Sequence, residues 1–187
     1  MIEYEMRRIL SKAARVSMSL GLSLTLSAGP SSTEMDEYRM KALFLFNFTQ
    51  FVEWPIEVFT DASSPLLICL VQPSPFEPGE LEAALKGRRM DAHSLAYRLI
   101  RDAGQTAGCQ IVFFSVGASR KNKGAVNNFN QIGTLTVGET PGFAKSGGVM
   151  NFAVKDGRVK LEINVISAEK VKLRISAKLL KLAEIVK

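Results

Sequence analysis

The chain is poor in the residues that most chemistry needs. Its 187 residues include one histidine, His93, one tryptophan, Trp54, and two cysteines, Cys69 and Cys109. A single histidine without a positioned partner does not make an acid–base pair, and His93 reads as a structural or exposed side chain. There is no Ser-His-Asp spacing, no metal-ligand cluster and no phosphate loop ending in GK[ST]. The Gly-rich run "GETPGFAKSGG" (138–148) follows a predicted strand, but no helix follows it, so it reads as a turn between strands. The cysteines lie forty residues apart, which excludes a CxxC redox motif. Repeats and low-complexity tracts are missing too. On these grounds no catalysis, cofactor or metal is expected.

A focused basic surface is also lacking. The net charge is +6, from 24 Lys/Arg against 18 Asp/Glu. Setting aside the first thirty residues, which hold four basic and two acidic side chains, leaves 20 against 16, spread along the chain. Nucleic-acid binders concentrate their charge, and the short run "RKNK" (120–123) reads as a solvated helix start. No nucleic-acid partner is expected.

What is present begins with an address. A basic start (Arg7, Arg8, Lys12, Arg15) precedes an apolar run from Val16 to Leu26 and then small residues. That run has the length of a secretory h-region and is shorter than the roughly 20 residues of a membrane span. Residues 1–29 are therefore read as a cleaved signal peptide. No cysteine follows the run to carry a lipid anchor, and no later segment is long and apolar enough to cross a bilayer. In an oxidising compartment two surviving thiols form one bridge, here Cys69–Cys109.

The mature sequence alternates helices and strands, which predicts an α/β domain with a mostly parallel sheet flanked by helices. A first helix carries Met40, Leu43, Phe44, Phe48 and Phe51 at helical spacing and ends before Pro55. "PLLICLV" (65–71), "CQIVFFS" (109–115) and "TLTVG" (134–138) read as short buried strands, and "HSLAYRLI" (93–100) as a weaker one. "PGELEAALKG" and "SRKNKGAVNNFN" read as helices. "GGVMNFAVKDGRVKLEIN" (147–164) is a hairpin turning at Asp156-Gly157. A two-residue loop pairs Val154 with Val159, Phe152 with Leu161 and Met150 with Ile163 on one apolar face. Asn151, Glu162 and Asn164 fall on the other, expected to face outward at the sheet edge. A helical tail is expected to carry Leu179, Leu182 and Val186.

The last third resembles a known family. Gly142-Phe143, Gly147-Gly148, Asn151-Phe152, Glu162-Ile163-Asn164, Arg174-Ile175-Ser176 and Leu179-Leu180, with "KALFLFNFTQFVEWP" in the first helix, are similar to the pattern of the YfiR family. The resemblance covers nearly all of residues 33–187. It implies a periplasmic regulator that binds the periplasmic part of an inner-membrane diguanylate cyclase and holds it inactive, lowering cyclic di-GMP and biofilm formation. It also implies a homodimer and an outer-membrane lipoprotein able to sequester it. The family's second cysteine pair, near the hairpin, has no counterpart here. Asn151, Glu162, Asn164 and Arg174 are the expected partner- or ligand-binding residues, although Arg174 also reads as half of a surface salt bridge. The alternative function is a small-molecule sensor module working with a sensor kinase.

Overall fold

Eight strands make one sheet whose spatial order departs from chain order at both ends. The computed structural model describes residues 32–61, 63–76, 79–155 and 158–187. The expected signal peptide and the Asp156-Gly157 turn lie outside these residues. Helix α1 (Ser32–Phe51) leads into β1 (Val52–Glu53) and, past Pro55, a short 3-10 turn. Then follow β2 (Leu66–Val71), α2 (Glu80–Leu85), β3 (Arg89–Met90), β4 (His93–Ile100) and β5 (Ile111–Phe114). Helices α3 (Val116–Lys121) and α4 (Lys123–Asn127) precede β6 (Leu135–Gly138), β7 (Met150–Lys155) and β8 (Arg158–Asn164). The chain ends in α5 (Val165–Lys170), β9 (Arg174–Ile175), α6 (Ala177–Leu180) and β10 (Glu184–Val186).

The main sheet has the order β10-β8-β7-β6-β5-β2-β4-β3, while β1 and β9 form a separate antiparallel pair. Strands β4, β2, β5, β6 and β7 run parallel, and β7 and β8 form the antiparallel hairpin. Hairpin register matches the pattern read from sequence, with Met150 opposite Ile163, Phe152 opposite Leu161 and Val154 opposite Val159.

Side chains alternate across a strand, and that alternation divides the core in two. Ile68, Leu70, Ile111, Phe113, Leu135, Val137, Met150, Phe152, Leu161 and Ile163 point to the face covered by α1, where Phe44, Leu45 and Phe48 meet them. Phe48 stacks on Phe152 with ring centroids 5.8 Å apart. Of the expected helical stripe, Phe44 and Phe48 are buried, while Met40, Leu43 and Phe51 pack at its margins. Cys69, Val71, Val112 and Phe114 point to the opposite face, with Ala118, Val126 and Phe143. Burial on both faces is why the central strands read as unbroken apolar runs.

Two expectations need correction. The tail is helical only over Ala177–Leu180; the chain then turns back as β10 beside β8, in parallel, with Glu184 opposite Glu162. The hairpin is therefore inside the sheet and not at its edge. Leu179 and Val186 are buried, so the apolar stripe is docked, through a strand rather than a longer helix. Isoleucine and valine at 185 and 186 suit a strand better than a helix.

Cys69 and Cys109 are bridged, with Cα atoms 5.9 Å apart, and both are buried. The bridge joins β2 to the segment entering β5. Nη2 of Arg98, from β4, donates to the carbonyls of Gln105 and Ala107 and lies 3.4 Å from the Cys109 Sγ, so its guanidinium covers the bridge. Closing a 40-residue separation constrains the unfolded chain by about 3–4 kcal/mol. Cys69→Ser is expected to lower the denaturant midpoint accordingly; an unchanged midpoint would show that the bridge carries no stability.

Candidate functional site

The Gly-rich segment after β6 forms a cover on the second face of the sheet. Segment 139–148 folds over β6, β7 and β8 as a run of turns, and Phe143 sits at its centre. The ring lies between two glycines. A Cβ on Gly138 would stand 2.3 Å from Phe143 Cγ, and one on Gly148 would stand 2.1 Å from Phe143 Cε1. Neither distance is compatible with a side chain, so Gly138, at the end of β6, and Gly148, of the Gly-Gly pair, are two bare backbones gripping the ring of the Gly-Phe pair. Phe143 also meets Phe114, centroids 5.7 Å apart.

Three of the four expected site residues lie on this face of β7 and β8, and Asn164 is the one bonded to the cover. Asn151, Glu162 and Asn164 are all buried, and the outward orientation expected of them is corrected. The reason is tertiary: segment 139–148 covers Asn164, and β10 adds a strand beyond Glu162. Asn164 donates to the Ala144 carbonyl at 2.9 Å, and its Oδ1 caps α5 by accepting from Ser167 N. Asn151 Nδ2 donates to Glu162 Oε2 at 2.9 Å, while its Oδ1 has no hydrogen bond among the described residues. Lys155 Nζ reaches Glu162 at 3.4 Å and Glu184 at 2.6 Å. A cation at 162 would meet Lys155 within a covered site, so Glu162→Lys disturbs stability and is not a clean interface probe.

Arg174 stands apart from this group. It is exposed on β9 and pairs with Glu53 of β1 at 3.5 Å. The salt-bridge reading describes its geometry.

The Lys155–Glu184 contact ties β7 to the added strand. A hydrogen bond from Lys155, then its charge, holds the Glu184 carboxyl below its ordinary value; the same hydrogen bond raises Lys155. A depressed carboxyl adds stability above its unfolded pKa and loses it as pH falls through the folded value. The melting temperature of the protein should therefore exceed that of Glu184→Gln near neutral pH, and the gap should close below about pH 4. A gap constant down to pH 2 would contradict this.

A second polar centre, not visible in the sequence, lies at the carboxyl ends of the parallel strands. Glu139, directly after β6, accepts from Lys41 Nζ at 2.5 Å, Tyr38 Oη at 3.2 Å and Val116 N at 3.1 Å. Glu37 reaches the same Lys41 at 2.6 Å. Lys41 and Glu139 each have side chains only 5% exposed. The network fastens α1 to β6 and to the first turn of α3, nearly a hundred residues away in sequence. Only the alternation of the fold brings these groups together, so no local motif announces them.

His93 is structural: Nδ1 lies 2.7 Å from the Ser64 carbonyl and the ring stacks on Phe59. Among the described residues no cluster of His, Cys, Asp or Glu is arranged to hold a metal, and no helix is long and apolar enough to cross a membrane.

The sequence model of the YfiR/HmsC-like family matches residues 38–184. No curated protein matches the chain significantly.

Proposed function

The chain belongs to the YfiR/HmsC-like family, and on that premise we propose that it is an exported, periplasmic regulator that binds the periplasmic domain of an inner-membrane diguanylate cyclase and holds it inactive, lowering cyclic di-GMP and biofilm formation. The observation that carries this reading is the extent of the family match, which runs from within α1 to the first residue of β10. The covered hairpin suits a rigid binding module, because a surface fixed by its core loses little entropy on docking.

In this reading Asn151, Glu162 and Asn164 act from beneath, bracing the sheet, and contact falls to exposed groups. Arg174 with Glu53 is one. Ile56, 87% exposed just beyond β1, is another, and Ile132, 40% exposed, lines a cleft of about 380 Å³ with Glu57 and Val58, the residues that follow Ile56. Exposed aliphatic side chains around a cleft are the type of feature that anchors a partner. A homodimer and an outer-membrane lipoprotein are further proposed partners.

The test is co-purification. The chain, cross-linked in cells and recovered from detergent-solubilised membranes, should bring down a membrane diguanylate cyclase, and Ile56→Asp should weaken recovery without lowering the melting temperature. Recovery of no cyclase would sink the proposal.

A second reading, a small-molecule sensor module serving a sensor kinase, is favoured by one cavity of about 270 Å³ lined by Ser119, Lys123, Thr140 and Phe143. The Ser119 and Thr140 hydroxyls are buried there without hydrogen bonds among the described residues. A small anion seated beside Lys123 would satisfy both, and calorimetry with the protein alone distinguishes this from a regulator that needs its membrane partner.

A further inference from the structure

Among the described residues the sheet ends in the three-residue β10 on one side and in β4 with the two-residue β3 on the other. Strand β3 pairs with β4 only at His93 and Ser94. Beyond them β4 runs on to Ile100 with β2 on its inner side alone. Gln72 N donates to the Ile100 carbonyl at 2.8 Å, so Ile100 turns its backbone groups toward β2. Backbone direction alternates along a strand, and Tyr97 and Leu99 therefore turn their N–H and C=O groups outward. Among the described residues no strand pairs with β4 on that side at these positions. Their side chains are exposed as well, Tyr97 by 38% and Leu99 by 56%.

An open edge of this kind is a template for another strand, and proteins usually blunt it. Here the edge borders a groove of about 710 Å³ between α2 and β4, lined by Lys86, Arg88, Arg89 and Tyr97, with Glu82 as the one acidic lining residue. The three cations are exposed. Arg88 lies over the Phe46 ring, and Arg89 donates to the Ala92 carbonyl, so both have anchored stems. Arg101 stands exposed at the far end of the strand.

We propose that the outer edge of β4 is a docking site for an extended acidic segment of a partner protein, which adds as a strand beside Leu95–Leu99 with carboxylates toward Lys86, Arg88 and Arg89. Backbone hydrogen bonds supply a sequence-tolerant hold, and alternate side chains and charge supply selectivity. Charge decides between this occupant and a second copy. Antiparallel pairing of two copies about Tyr97 sets the Lys86, Arg88 and Arg89 groove of each against the Arg101–Asp102 end of the other, which offers those cations no net acidic charge, whereas an acidic segment does. The inference rests on the regulator reading only for the owner of the segment; its chemistry is tested without the cyclase.

The probe is a fluorescein-labelled peptide of alternating valine and glutamate, long enough to span the strand, followed by anisotropy with the purified chain. Saturable binding is expected, weakening by about tenfold or more between about 50 and 500 mM salt, with no binding of the valine–lysine analogue. Tyr97→Pro removes an outward N–H without touching the ladder to β2, and should abolish binding at an unchanged melting temperature. Should that variant fold poorly, the exposed pair Lys86→Glu with Arg89→Glu is expected to give the same loss. Equal affinity for both peptides, binding unaffected by these variants, or a self-association that Tyr97→Pro abolishes would each overturn the proposal, the last by assigning the edge to a second copy. Loss of cyclase recovery with intact peptide binding would instead count against the regulator reading alone.

Discussion

Lys41→Ala is expected to lower the melting temperature by roughly 10 °C, from a loss of about 3–5 kcal/mol. Lys41 is the cation for Glu139 in a site where both side chains are 5% exposed, and Tyr38 and Val116 N stay behind as neutral donors. Removing the ammonium leaves a buried carboxylate with no opposing charge, which costs more than the pair contributes when intact. Lys41→Ala combined with Glu139→Gln should recover much of the loss, because no charge is then stranded. A double variant no more stable than Lys41→Ala would show that the cost is packing and not electrostatics. Thermal melts of the two variants beside the parent protein decide it.

Phe143→Ala should be about as damaging, at about 3–5 kcal/mol, since the ring is 4% exposed and its removal opens a cavity between Gly138, Gly148 and Phe114. The effect should reach beyond stability. With the ring gone, segment 139–148 loses its anchor over Asn164, and α5 loses the register that the Asn164 cap provides. Gly148→Ala approaches the same site from the other side, by collision, and should destabilise by about 1–3 kcal/mol. Hydrogen exchange over 139–148 measures both. Exchange in this segment that stays at the parent rate in Phe143→Ala would mean that the ring is not what holds the cover down.

The central strands β2, β5 and β6 are legible because each is short, apolar and bounded by turn residues, and because burial on both faces leaves a continuous signal. The hairpin was legible down to its register, since Asp-Gly fixes the pairing and a period of two fixes the faces. What the pattern could not say was whether the polar face met water. Asn151, Glu162 and Asn164 look like surface residues along the strand, and become interior ones only through segment 139–148 and β10, both of which fold back from elsewhere. The tail is legible only in part for a related reason: "AKLLKLAEIV" carries a helical period, but Ala177–Leu180 alone is helix and the sheet recruits Glu184–Val186 as a strand. Glu139 and Lys41 show no signal at all, being ordinary charged residues until the sheet sets them side by side. The Gly-Phe and Gly-Gly pairs form a pattern in the sequence, but the grip of Gly138 and Gly148 on the Phe143 ring is a property of the packed structure.

Regulation of a membrane diguanylate cyclase from the periplasmic side, the function proposed for the chain, is read out in cellular cyclic di-GMP. The level is to be measured by mass spectrometry in cells lacking the chain, in cells given back the full chain, and in cells given a form without residues 1–29. The account predicts a rise on loss, a return to the parent level with the full chain, and no return with the form that stays inside. A level that does not change on loss, or that the unexported form restores, would contradict it.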